Sequence, residues 1–272
     1  MDAMQLRQKA VQIRRQALEL VYRAQTGHIG GTLSSVDYLV LLHYAKLRLD
    51  PSNCHREDRD RFILSKGHCV EAYFCILADL GFFPKEELKT FSQFGTRLIG
   101  HATKDVPGVE MNTGSLGHGL SAGCGMALAA KKMGRDWKVH VLLGDGELAE
   151  GSVWEAAMFA AHYGLDNLYA AVDRNHLQIS GGTEEVMALE PLREKWEAFG
   201  FDVETVDGND LEAMEQAFTR LEARHGKPKM LLLDTVKGKG VRFMENQAKW
   251  HHGALTQEQY ELALAQLEEV RL

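Results

Sequence analysis

Asp145 sits between two glycines at the end of an apolar run, Val139 to Leu143, that reads as a buried strand. A second apolar run, Leu168 to Val172, delivers Asp173-Arg174-Asn175 to the same edge of a sheet if the two strands run parallel. The Asp145 carboxylate, the Asn175 side-chain oxygen and the main-chain carbonyl of Leu177 then make a set of hard oxygen ligands. Open N–H groups of Gly144 and Gly146 lie beside it. This combination suits Mg2+ carrying a diphosphate, with Ca2+ or Mn2+ as substitutes. An Asp between glycines is commonly just a turn; Asn175 at the second strand end is what makes the pair a site.

The histidines extend the pattern. Six of the twelve (His28, His68, His101, His118, His225 and His252) neighbour a glycine, against roughly two expected by chance at this composition. Glycine beside a polar side chain lets the main chain approach a ligand closely. As a set these histidines read as donors to phosphate and sugar oxygens, or as proton shuttles near neutral pH. His225, in Arg224-His225-Gly226-Lys227-Pro228, belongs to a surface turn. No HxxxH or HExxH spacing occurs, which argues against zinc.

Other polar stretches carry less. Glu147, Glu150 and Glu155 fall at a helix start, where the dipole favours carboxylates; Glu147 and Glu155 read as surface capping charges. Lys237-Gly238-Lys239-Gly240 is not a Walker loop, because no GxxxxGK[ST] is present. Its lysines read as a solvated loop, with phosphate neutralisation as the alternative. Gly114 to Gly125 lacks both a preceding strand and a ribose-binding acidic residue at the right distance, so a dinucleotide site is not expected.

The elements that must hold these residues alternate. Leu6, Ala10, Ile13, Ala17, Leu20, Val21 and Ala24 recur at helical steps and predict an amphipathic N-terminal helix. A glycine-rich turn, Thr26 to Thr32, follows, with Ser34 or Ser35 capping a helix from Val36 to Leu47. Arg61–Leu64 is a strand, Cys69–Leu80 a helix, and a short helix follows Pro84. Gly114 opens a helix that runs to about Met133, and another starts after Gly151. Both helices are rich in alanine and glycine, which suits either an interface or close internal packing. Leu189–Phe199 and Leu211–Leu221 read as helices, Phe201–Val206 and Met230–Thr235 as strands. A last helix carries Tyr260, Leu264 and Leu267 and stops near Leu272. This alternation predicts an α/β architecture, a mostly parallel sheet with helices on both faces. With no repeat and no linker, residues 1–272 read as one domain.

Bulk properties agree. The 272 residues are 45% hydrophobic and 25% charged, with a formal charge of −7 and no basic stripe, so no nucleic-acid partner is expected. No apolar stretch reaches the roughly 20 residues of a membrane span, and no signal-peptide core is present. Four cysteines without metal-type spacing read as free, mostly buried thiols in a reducing compartment. The expected location is the cytoplasm.

With these residues in place, the chain resembles the N-terminal, diphosphate-binding region of transketolase. Thiamine diphosphate enzymes carry Gly-Asp-Gly followed by Asn at about the spacing of Asp145 and Asn175. The transketolase character lies in Gly27-His28-Ile29-Gly30-Gly31, Ser65-Lys66-Gly67-His68, Gly100-His101, Pro107-Gly108 to Gly119, Glu150 to Ala156, and His252-Gly253-Ala254. These occur in the family's order over nearly the whole chain. The resemblance implies a thiamine diphosphate-binding fold with Mg2+ held by Asp145, Asn175 and Leu177. It implies cofactor contacts from His68, His252, Gly146, Gly114 and Leu116, alongside Asn175. The candidate catalytic residues it implies are His28, His101 and His252 facing substrate, and Glu150 in a carboxylate network across a subunit interface. The implied reaction transfers a two-carbon ketol unit from a ketose phosphate to an aldose phosphate.

Two features depart from the family. Ser115-Leu116-Gly117-His118 stands where the family usually has Pro-Leu-Gly-Gln. The pyrimidine-binding domain, which supplies the glutamate that activates the cofactor ring and the residues that grip substrate phosphate, is not in these 272 residues. The resemblance is therefore to the N-terminal subunit of a split transketolase. The expected partners are a C-terminal subunit with the pyrimidine-binding and C-terminal domains, and a second copy of this chain. The alternatives are a 1-deoxyxylulose-5-phosphate synthase-like or 2-oxo acid dehydrogenase alpha-like subunit, or a non-catalytic regulatory partner.

Overall fold

The structure, a computed structural model, describes residues 1–269. In chain order the elements are α1 (Ala3–Ala24), α2 (Ile29–Leu41), β1 (Arg61–Leu64), α3 (Glu71–Leu80), α4 (His118–Lys132), β2 (Val139–Gly144), α5 (Gly151–His162) and β3 (Leu168–Arg174). A hairpin of β4 (Leu177–Gln178) and β5 (Gly181–Gly182) follows, then α6 (Thr183–Val186), α7 (Leu192–Ala198), β6 (Asp202–Asp207), α8 (Leu211–Glu222), β7 (Lys229–Asp234) and α9 (Gln257–Glu268). The expected end of the last helix near Leu272 lies outside the described residues.

β1, β2, β3, β7 and β6 pair in that order and all run parallel. Side chains alternate between two cores. Phe62, Leu64, Leu142, Ala171, Leu231 and Leu233 pack with α2, α3 and α8. Ile63, Val141, Leu143, Ala170, Val172, Met230 and Leu232 pack with α4, α5 and α7. Both faces are covered, which is why each strand reads as a nearly unbroken apolar run. The chain steps from β1 through β2 and β3, skips to edge strand β6, then returns to β7. α8, which carries the return, lies on the face opposite α5 and α7, as right-handed crossovers require when the direction of travel reverses.

α1 buries Leu6, Ala10, Ile13, Ala17, Leu20 and Val21 as its periodicity predicts. Asp2 and Gln5 close its N-terminus with a reciprocal capping box, at 2.8 and 2.9 Å. α1 and α9 share a third cluster with Val241, Met244 and Trp250. The small faces of α4 and α5 pack on each other and on the sheet, burying Ala127, Ala130, Ala156, Ala157 and Ala160. The four cysteines are free, three of them buried.

The α2 region differs from expectation. The helix begins at Ile29, and Ser34 and Ser35 are inside it rather than at its cap. Gly30 and Gly31 read as a turn, yet they are glycine for a different reason. A Cβ on Gly30 would come within 2.6 Å of the Trp250 carbonyl oxygen, and one on Gly31 within 2.7 Å of Cys69 Sγ. Two neighbouring segments press against the first helical turn there. The hydroxyls of Ser34 and Ser35 donate back to the Gly31 carbonyl, at 3.0 and 2.7 Å. The expected C-terminal half of the helix is a π-helical turn, Leu42–Lys46. Downstream, α7 starts only after Pro191, three residues later than predicted.

Candidate active site

β1, β2, β3 and β7 end side by side, and their following residues wall a cavity of about 400 Å³ at the carboxyl edge of the sheet. Of the residues singled out from sequence, His28, His68, Gly114, Leu116, Asp145, Gly146, Asn175 and Leu177 line it. His101 and His252 stand next to it, with ring centroids 6.1 and 4.6 Å from that of His28. His252 is exposed, with Nε2 3.2 Å from the Thr26 hydroxyl, and the adjacent His251 lines the cavity instead. Glu150 lies exposed at the N-cap of α5.

Asp145 is buried just past β2. It accepts from the N–H of Gly146 at 2.8 Å and of His176 at 2.7 Å, and pairs with Arg174 at 3.3 Å. Burial, reinforced by Asp173, pushes its pKa up. Asn175 donates through Nδ2 to the Asp173 carboxylate at 3.0 Å, while its Oδ1 accepts from the Leu177 N–H at 3.2 Å. The amide is thereby oriented, and its oxygen keeps a free lone pair. Among the described residues no group of three His, Cys, Asp or Glu side chains could hold a metal. One carboxylate, one amide oxygen and one carbonyl suit Mg2+ rather than a softer ion.

Under this set lies a charged network that sequence reasoning missed. Asp173, the penultimate residue of β3, is fully buried. It accepts from Lys66 Nζ, from Ser34 at 2.7 Å and from Thr235 at 2.5 Å. Burial opposes both charges, but the pair outweighs it, holding Lys66 above and Asp173 below their ordinary values. Lys237 is also buried rather than solvated. Its Nζ donates to the Leu177 carbonyl at 3.0 Å and lies 3.3 Å from His251 Nδ1. Burial lowers its pKa. Lys66 Nζ gives its remaining donors to the Gly31 carbonyl and the Ser35 hydroxyl, each at 2.9 Å, so the lysine that offers its charge to a diphosphate at the cavity wall is Lys237.

Glu147 corrects a second expectation. It is not a surface capping charge but a buried hub. One oxygen accepts from the Ser65 hydroxyl and from Gly117 N–H at 2.9 Å, the other from Gly144 N–H at 3.0 Å. It ties the ends of β1 and β2 to the segment that enters α4. Glu155, by contrast, is exposed as predicted.

The imidazoles are electrically quiet. Burial first, then neighbouring cations and imidazoles, pushes His28 down to about 4, His68 to about 2 and His251 to about 3. Burial also lowers His101. At neutral pH His28, His68 and His251 are uncharged rings that donate and accept hydrogen bonds, beside Lys237 Nζ. The donor set, Lys237 and the oriented Asn175 fit a diphosphate ester carried with Mg2+.

The sequence matches the family described as transketolase, thiamine diphosphate binding domain, over residues 6–267. It is 50% identical over 256 residues to one of the subunits of the apulose-4-phosphate transketolase of Phocaeicola vulgatus, covering 94% of this chain and 91% of that one. It is 42% identical over 264 residues to a 6-deoxy-6-sulfo-D-fructose transketolase subunit of Clostridium sp. (strain MSTE9), covering 97% and 96%. The fold superposes on transketolase from Campylobacter jejuni with a TM-score of 0.92 at 32% identity, covering 98% of this chain. This chain spans 43% of that solved chain. These matches favour transketolase over the other thiamine enzymes that the sequence left open. The chain belongs to the transketolase family of transferases, as a subunit built on its thiamine diphosphate binding domain.

Proposed function

We propose that this chain, a single diphosphate-binding domain, is the cofactor-holding half of a two-subunit transketolase working in the cytoplasm. The observation that carries the reading is the convergence of Asp145, Asn175, the Leu177 carbonyl, Lys66 and Lys237 on one cavity at the strand ends. Asp145, Asn175 and Leu177 hold Mg2+, and Lys237, His68, His251 and the Gly146 amide take the diphosphate, while Lys66 secures Asp173 beneath them. Gly114 and Leu116 lie against the aminopyrimidine. Bound thiamine diphosphate supplies the electron sink for C–C cleavage. His28, His101 and His252 face the hydroxyls of the sugar, orienting it and moving protons. Glu150 joins a carboxylate network with a neighbouring subunit.

The pyrimidine-binding partner completes the site, in a heterotetramer of two copies of each chain. Met158 and Phe159 on α5 and Tyr163 just after it are left exposed and support a protein contact there. The substrates are a ketose phosphate donor and an aldose phosphate acceptor. Apulose 4-phosphate, named for the Phocaeicola vulgatus relative, is the first donor to try. None of the described helices is long and apolar enough to cross a membrane.

The test uses the purified chain alone and with its co-expressed partner. Calorimetry of the isolated chain should show Mg2+-dependent thiamine diphosphate binding that Asp145→Ala abolishes; equal binding by both forms removes the metal assignment. Ketol transfer should require the partner, and turnover by the isolated chain refutes the split reading.

A further inference from the structure

Glu71, at the start of α3, is fully buried, and neither the family motifs nor the proposed mechanism uses it. One carboxylate oxygen accepts from the main-chain N–H of His28 at 2.7 Å, and the other from the Thr32 hydroxyl at 2.6 Å. Both donors belong to the N-terminal end of α2, where unpaired N–H groups and the helix dipole favour a negative partner. A Cβ on Gly27 would fall within 2.7 Å of the same Glu71 oxygen that holds His28, so the carboxylate packs directly on the Gly27-His28 turn.

That turn is tied further. The Gly27 carbonyl accepts from Gly253 N–H at 2.9 Å, which anchors the segment carrying His252. His68 lies three residues before Glu71, where the chain leaves β1 for α3. The ring centroids of His68 and His252 lie 5.0 and 4.6 Å from that of His28. One buried carboxylate thus sits where three chain segments, each bearing an imidazole of the site, meet.

We propose that Glu71 is a positioning residue for His28, fixing the main chain at residues 27 and 28 so that the imidazole faces the sugar hydroxyls. The inference rests on the proposed substrate-facing role of His28. A purely structural carboxylate would serve the fold without regard to what His28 does. A positioning carboxylate acts only through that ring, and the two cases separate in a double-mutant cycle.

The assay is donor kcat/KM of the reconstituted two-subunit enzyme for the wild type, H28A, E71Q and the double variant, with thiamine diphosphate affinity measured on each. Glu71→Gln keeps the shape but sets an amide N–H₂ against one of the two donors. We expect a roughly tenfold fall in donor kcat/KM, equivalent to about 1.4 kcal/mol. In the H28A background E71Q should change it less than twofold, with thiamine diphosphate affinity unchanged throughout. Thr32→Val, which removes only the hydroxyl bond, should give a smaller fall that also vanishes in H28A, and it serves if E71Q does not fold. Equal factors in both backgrounds, or a parallel loss of cofactor affinity, overturn the positioning role while leaving that of His28 intact. Wild-type turnover by H28A overturns both.

Discussion

Replacing His140 with leucine should flatten part of the acid sensitivity of this protein. His140 is the second residue of β2, 2% exposed, its ring stacked on Tyr169 at 5.1 Å and 6.3 Å from that of Phe218. Among the described residues neither ring nitrogen has a hydrogen-bond partner. Burial pushes its pKa down from 6.5 to about 4, against the attraction of Asp60. The unfolded chain takes up this proton near pH 6.5 and the folded chain only near 4, so the unfolded state binds more protons between them. The stability present above pH 6.5 is therefore lost as pH falls toward 4. At about pH 5 the loss from this one group is ~2 kcal/mol, a large fraction of a typical domain's stability. His43 behaves alike, lowered by burial to about 4, and it stays in place in the variant. The assay is urea denaturation of wild type and His140→Leu at about pH 7.5 and about pH 5. The wild type should lose ~2 kcal/mol more than the variant across that interval. At the higher pH the variant should be at least as stable, because leucine removes two unpaired buried nitrogens. Parallel losses in the two proteins refute the reasoning.

Two further substitutions probe the cavity walls. Glu147→Gln leaves one of its donors facing an amide N–H₂, which should lower stability by about 1–3 kcal/mol. It should also weaken thiamine diphosphate binding as the Ser65 and Gly117 segments loosen; a melting temperature and a calorimetric affinity both matching wild type would reject the hub. Gly67→Ala brings a Cβ within 2.7 Å of the Thr113 carbonyl carbon and 2.8 Å of the Gly114 nitrogen. Main chain must move to admit it, so cofactor affinity should fall at least tenfold while the far-ultraviolet circular dichroism is kept; undiminished affinity shows that the Gly114–Leu116 segment tolerates the shift.

The sequence alone determined the parallel α/β sheet and the part of the candidate site built at the ends of β2 and β3. Buried parallel strands announce themselves as apolar runs, and their ends fall at one edge, so Asp145 and Asn175 had to be neighbours. Tertiary structure alone decided which charges are buried. Glu147 meets Ser65 across 82 positions, Lys66 meets Asp173 across 107, and Lys237 reaches the Leu177 carbonyl across 60. A lysine or glutamate leaves water only where a distant partner compensates it, and nothing local to Glu147 or Lys237 marks that partner. The same holds for Gly30 and Gly31, read as a turn because glycine permits one, yet required by the approach of Trp250 and Cys69 to a helix. His251 and His252 are adjacent and alike in sequence. Only the path of the chain after the 3-10 turn at Ala248–Trp250, pinned by the bond from Gly253 to Gly27, sends the first into the cavity and leaves the second at its rim.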